Sequence, residues 1–131
     1  GTDGNINNST NNYVAYCFSE VPGYSKFGSY VGNGSADGPF VNLGFRAKFL
    51  MIKKTSATDN WVVIDTTRDD DNLVTQRLLP NLSDAESTAD MGDILSNGYK
   101  IRTSGGLTNT SGATFIYMAF AENPFKNSLA R

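Results

Sequence analysis

The 131-residue chain contains no histidine and a single cysteine. Without an imidazole there is no base to activate a serine, so lone hydroxyls such as Ser104 and Ser111 carry no Ser-His reading. Without a second cysteine or any histidine, a Cys/His metal site and an internal disulfide are both excluded. Cys17 sits inside the apolar run YVAYCF, where a small buried hydrophobe is expected rather than a reactive thiol. Charge is also sparse, with 11 Lys and Arg against 13 Asp and Glu for a net of −2, and neither sign forms a block. A nucleic-acid partner needs a basic stripe that displaces counterions, so none is expected. The longest apolar runs reach only about seven residues against the roughly 20 that span a bilayer, and no membrane span is predicted. The chain opens on Gly1 with no signal-like segment. Gly1 is therefore expected to follow a processing event, and the sequence to be part of a longer protein.

What remains is the composition of one β domain. The opening GTDGNINNSTNN, residues 1–12, has Ile6 as its one apolar side chain and reads as a flexible leader. From Tyr13 to Arg131 a single domain is expected, large enough to bury a core without staples. Short runs rich in Val, Ile, Tyr, Phe and Trp are separated by Gly, Asn, Ser, Asp or Pro, the pattern of strands and turns. The predicted strands are 13–18, 28–31, 40–45, 49–53, 61–65, 74–79, 91–95, 99–102 and 114–121. In DILSNGYKIR, Asn97-Gly98 is expected to take the two positive-φ positions of a hairpin turn, with Tyr99 and Ile101 inward and Lys100 and Arg102 wet. FLMI and FIYMAF are apolar at consecutive positions, so both of their faces are expected to be covered. SDAE within 83–89 fits a capping box and is the one helical candidate. The fold expected is all-β: a two-sheet antiparallel β-sandwich of jelly-roll or lectin-like type, with little helix.

Three groups of residues are candidate sites. In GNGSADGP, residues 32–39, a strand rather than a helix follows, so the loop is a corner and not a phosphate cradle. Gly32, Gly34 and Gly38 permit positive φ, Asp37 accepts from the loop backbone, and Asn33, Ser35 and Asp37 could line a ligand cleft. In TRDDDN, Arg68, Asp69, Asp70, Asp71 and Asn72 form a polar tip loop whose hard oxygens suit calcium, at Asp69 and Asp71, without calcium-loop spacing. A solvated acidic loop is the plainer reading. Trp61 could stack on a sugar ring, although a tryptophan heading the strand WVVID is more often core. Glu20, Glu86 and Glu122 are widely separated, and nothing pairs them as glycosidase carboxylates. No other cofactor is indicated. Asn-x-Ser/Thr sequons occur at Asn7, Asn8, Asn33, Asn81 and Asn109.

Five segments taken in order, YVAYCFSEVPGYSKFGSYVGNGSADGPFVNLGFRAKFLMIKKT, NWVVIDTTR, LPNLSDAEST, DILSNGYKIR and GATFIYMAFAENPFKNSLAR, resemble a family. It is a domain of unknown function recurrent in structural proteins of marine tailed phages, of cyanophage and pelagiphage type, commonly at the C-terminus of tail-fibre or other virion proteins. The resemblance implies a non-enzymatic virion component, extracellular on the particle, that binds a receptor or decorates the surface. It implies other virion subunits and a host surface glycan as partners, and a homo-oligomer, a trimer above all. The chain departs from the family's pattern at Ala47, where a proline is expected, and at the DDDN of 69–72. Two alternatives stand beside this: a carbohydrate-binding lectin-like module using Trp61 or the tyrosines of 24–30, and a capsid decoration or self-assembling filament subunit with residues 1–12 as a tether or exchanged strand. Recognition is expected at the polar loops 32–38, 68–72 and 103–112.

Overall fold

A computed structural model describes residues 3–124. Eight strands, β1 (Ser25–Val31), β2 (Phe40–Asn42), β3 (Ala47–Lys54), β4 (Trp61–Asp65), β5 (Val74–Arg77), β6 (Ser87–Leu95), β7 (Gly98–Ile101) and β8 (Thr114–Ala121), are joined by one helical turn, α1 (Gly106–Asn109). They form two four-stranded sheets, β1-β8-β3-β4 and β2-β7-β6-β5, with every pairing antiparallel. The ends of the chain nest: β1 pairs with β8 in one sheet and β2 with β7 in the other. The fold is the expected β-sandwich, and one core fills the space between its sheets.

Alternation along the strands builds that core. Leu50 and Ile52 of β3, Val62 and Ile64 of β4, and Phe115 and Ala119 of β8 face Tyr99 and Ile101 of β7, Met91 and Ile94 of β6, and Val74 of β5, and all are buried. Period-2 patterning puts one set of side chains inward and sends the intervening set the other way. Lys100 and Arg102 are accordingly on the wet side of Tyr99 and Ile101.

Several expectations need correction. Residues 13–18 form no strand: they carry no ladder, and Val14 and Tyr16 are 80% and 83% exposed. Cys17 is exposed rather than buried, because the run that surrounds it never enters the core. Among the described residues, FLMI and FIYMAF are fully covered on one face and only partly on the other. Phe49, Met51, Ile116, Met118 and Phe120 face outward, partly shielded by Phe18, which packs on Phe120 with ring centroids 5.9 Å apart. Residues 83–86 are irregular and 87–89 begin β6, where Ser87 pairs with Arg77 and Thr88 with Gln76. Ladder bonds to β5 outweigh a local capping signal. The β6–β7 hairpin turns at Ser96 and Asn97, one residue earlier than expected, and Gly98 already pairs with Leu95. Gly98 is needed for close approach instead of positive φ, since a Cβ there would lie 2.3 Å from the Val41 carbonyl of β2.

Candidate functional site

The strand registers fix where the loops lie. Val31 pairs with Thr114, and Lys54 with Phe115, at one end of the sandwich; Phe49 pairs with Asp65, and Ala47 with Ala121, at the other. The loops 32–38 and 103–112 therefore meet at the first end, and the acidic loop 66–72 sits at the opposite end. Two of the three expected recognition loops form one surface, and the third does not join it.

Asn109 ties the first surface together. It is fully buried, and its Nδ2 donates to Asn33 Oδ1 at 3.0 Å and to the carbonyls of Ser35 and Thr103 at 2.7 Å each. Its Oδ1 accepts from the Asn33 N–H at 2.8 Å, and its carbonyl accepts from the Gly34 N–H at 2.9 Å. Asn33 Nδ2 closes the loop on the Asp37 carbonyl at 2.9 Å, and its Oδ1 accepts from the Ser35 N–H at 3.0 Å. Of the three glycines expected to carry positive φ, only Gly34 does, at 68°. Gly32 and Gly38 serve close packing: a Cβ on Gly32 would lie 2.3 Å from the Thr110 carbonyl, and one on Gly38 2.8 Å from the Ile101 side chain. The Asp37 carboxylate pairs with Lys100 at 2.7 Å rather than with the loop backbone, and Arg102 lies 3.8 Å away and pairs with Asp93 at 2.7 Å. The hydrogen bond from Lys100 holds the Asp37 carboxyl below the usual carboxylate range.

Beside this end lies a cleft of about 350 Å³, lined by Arg77, Asp90, Met91, Thr103 and the turn from Gly105 to Thr108. Arg77 is half-buried and steadied by Ser87 Oγ, 3.2 Å from its Nε. Thr108 is 1% exposed; its carbonyl accepts from the Tyr30 hydroxyl at 2.7 Å, and its own hydroxyl has no partner among the described residues. A guanidinium, a carboxylate, hydroxyls and glycine backbone around one hollow can donate to and accept from a polyhydroxyl ligand. Arg77 and Asp90 lie outside the loops where recognition was expected, whereas Thr108 and Asn109 fall inside the expected loop 103–112 without being named singly. Only Asn109 carried a signal, as a sequon, and that pointed elsewhere: its amide is buried and committed to three acceptors, so it is closed to glycan attachment in the folded chain.

The opposite end is built as a brace. Asp65 accepts from the N–H groups of Thr67 and Arg68 at 3.0 Å each and pairs with the Arg68 guanidinium, which also reaches Glu86. Burial pushes the Asp65 carboxyl up, but these hydrogen bonds outweigh it and hold the group below the usual range. Asp69 Oδ2 accepts from the N–H groups of Thr75 and Gln76 at 2.6 and 3.0 Å and from the Thr75 hydroxyl at 3.2 Å. Those backbone donors lower its pKa. Asn72 exchanges hydrogen bonds with the Ile94 backbone, at 2.9 and 3.2 Å, while Asp70 and Asp71 are exposed. Among the described residues, no three acidic or cysteine side chains gather as cation ligands.

Trp61, 36% exposed, heads β4 on the outer face of its sheet, and its backbone N–H donates to Asn81 Oδ1 at 2.9 Å. It borders a second cleft, of about 410 Å³, with Phe27, Met51, Ile116, Tyr117 and Met118. This lining offers almost no hydrogen-bonding partners for sugar hydroxyls.

Among the described residues no helix is long and apolar enough to cross a membrane. Comparison with curated proteins and with solved structures finds no match. Residues 1–124 match the domain of unknown function DUF7483, and the chain belongs to that family.

Proposed function

We propose that this chain is a non-enzymatic β-sandwich domain of a phage particle, displayed on a tail fibre or another exposed virion protein, and that it recognises a host surface glycan with its loop-bearing end. The observation that carries this reading is the polar cleft of Arg77, Asp90, Thr103 and Thr108 beside two loops stitched by Asn109. Recognition is favoured by loops held on a rigid scaffold, because little ordering is left to be lost on binding. The virion setting rests on the sequence resemblance.

The test is binding of the purified chain to an array of bacterial surface polysaccharides, repeated with Arg77→Ala. A saccharide bound by the wild-type chain and weakened about tenfold or more by the substitution supports the reading. Binding that is indifferent to Arg77 and moves with Trp61→Ala would transfer recognition to the apolar cleft and overturn this assignment. A second reading, a decorating or self-assembling subunit, is favoured by the partly exposed apolar outer face of the β1-β8-β3-β4 sheet. Native mass by light scattering separates a closed trimer, expected of a fibre domain, from open-ended growth.

A further inference from the structure

Two apolar surfaces of this chain touch, among the described residues, through Phe18, while Val14 and Tyr16 stay exposed. One is the outer face of the β1-β8-β3-β4 sheet, where the registers set Phe27, Met118 and Met51 side by side, with Ile116 and Trp61 in the neighbouring row. These residues wall the cleft of about 410 Å³, a size within the range that receives small organic groups. The other is the arm 13–18. In an extended segment Val14, Tyr16 and Phe18 fall on one side, and they are 80%, 83% and 59% exposed. No charged side chain occurs from residue 4 to residue 19, so the arm matches an uncharged cleft.

We propose that the arm of one copy docks on this face of a second copy, with Val14 and Tyr16 entering the cleft between Phe27, Met51, Trp61, Ile116 and Met118. Phe18 marks the route: its ring already lies on this face, 6.0 Å from Phe27 and 5.9 Å from Phe120, at the margin of the cleft. Among the described residues Val14 and Tyr16 are exposed, and every other copy carries the same apolar cleft. Arm and face are different patches, so the contact is heterologous: three copies can close it into a ring, and an unclosed rotation runs on as a filament. The inference concerns assembly and is independent of glycan recognition at the loop end.

Trp61 is the sole tryptophan and reports on the cleft directly. The experiment follows native mass and Trp61 emission of the full chain against concentration, for the wild type, for Val14→Ser/Tyr16→Ser, and for Ile116→Glu. Ile116 is 41% exposed and pairs with Lys53, so the introduced carboxylate has a cation beside it and the fold is kept, as circular dichroism would verify. Assembly of the wild type should shift Trp61 emission to the blue, and each variant should need about tenfold more protein or worse to assemble. An equal mixture of the two variants, which restores one intact arm and one intact face, should give a two-chain particle. Variants that assemble like the wild type with the same emission overturn the proposal and leave assembly to another surface. A monomer with blue-shifted emission, lost in the arm variant, overturns it in favour of the arm covering its own cleft. A wild type that stays monomeric with constant emission overturns it as well.

Discussion

Replacing Asn109 with alanine tests whether one amide holds the loop-bearing end together. The substitution leaves the carbonyls of Ser35 and Thr103 and the N–H of Asn33 without their partner. A buried polar group stripped of its hydrogen bond costs about 1–3 kcal/mol. Asn33 and Ser35 are exposed residues that water can reach, so the lower figure applies to them, and the three groups together come to about 3 kcal/mol. For a domain of this size that is a fall in Tm of about 10 °C. Asn109→Asp should be worse at neutral pH, because a carboxylate would face two carbonyls to which the amide donates. Calorimetry measures the loss, and amide exchange locates it: the Asn33 and Gly34 N–H groups should lose protection before the core strands do. A melting point within about 3 °C of wild type for both variants would refute the stitch, since it would mean the loops are held by packing alone.

Two further outcomes follow from charge. The folded pKa of Asp69 is depressed by the Thr75 and Gln76 N–H groups, so its stabilisation is fully present above the unfolded value of about 3.9 and is lost as pH falls through the lower folded value. Denaturant unfolding of Asp69→Asn against wild type should show a deficit at pH 7 that closes in strong acid; a deficit independent of pH would sink the linkage. Lys54 is 9% exposed, pairs with Asp59 and lies 5.9 Å from the Phe115 ring centroid, so Asp59→Ala leaves a buried ammonium alone and should cost about 3 kcal/mol. Adding Lys54→Met should recover most of that, and a double variant no better than the single one would contradict it.

The sandwich was legible because its signals are local and repeated. Tyr99 and Ile101 against Lys100 and Arg102 state the inward face in four residues, and the structure buries the first pair. The failures share a cause: strand patterning describes a segment's surface and not its partner. YVAYCF has the composition of a strand, yet no edge of its own fold receives it. The consecutive apolar residues of β3 and β8 imply a cover on both faces, and the described residues supply only one full layer. The helical turn Gly106–Asn109 has no side-chain cap and was unreadable, because Asn109 is held by contacts about 75 residues away in sequence. The same long-range tie made the joining of the two loops at one end invisible, although each loop was named singly.

These mismatches fall on two surfaces. At the acidic end Asp65 and Asp69 accept from backbone N–H groups and Asp65 pairs with Arg68, so both brace the fold there, although the Thr66 hydroxyl and Arg68 Nη2 have no partner among the described residues. At the loop-bearing end the polar groups around the cleft are held in place yet incompletely satisfied, as the Thr108 hydroxyl shows. On the outer sheet face the unmet demand is apolar. A buried hydroxyl without a partner and an exposed tyrosine arm are both costly in an isolated chain. Each cost is removed by contact of a different kind: a hydrogen-bonding ligand for the cleft, and an uncharged apolar segment for the face. A domain that binds on one end and is held by its neighbours on a flank can do both at once, because the registers keep the loop cleft on the β2-β7-β6-β5 side and the apolar face on the β1-β8-β3-β4 side.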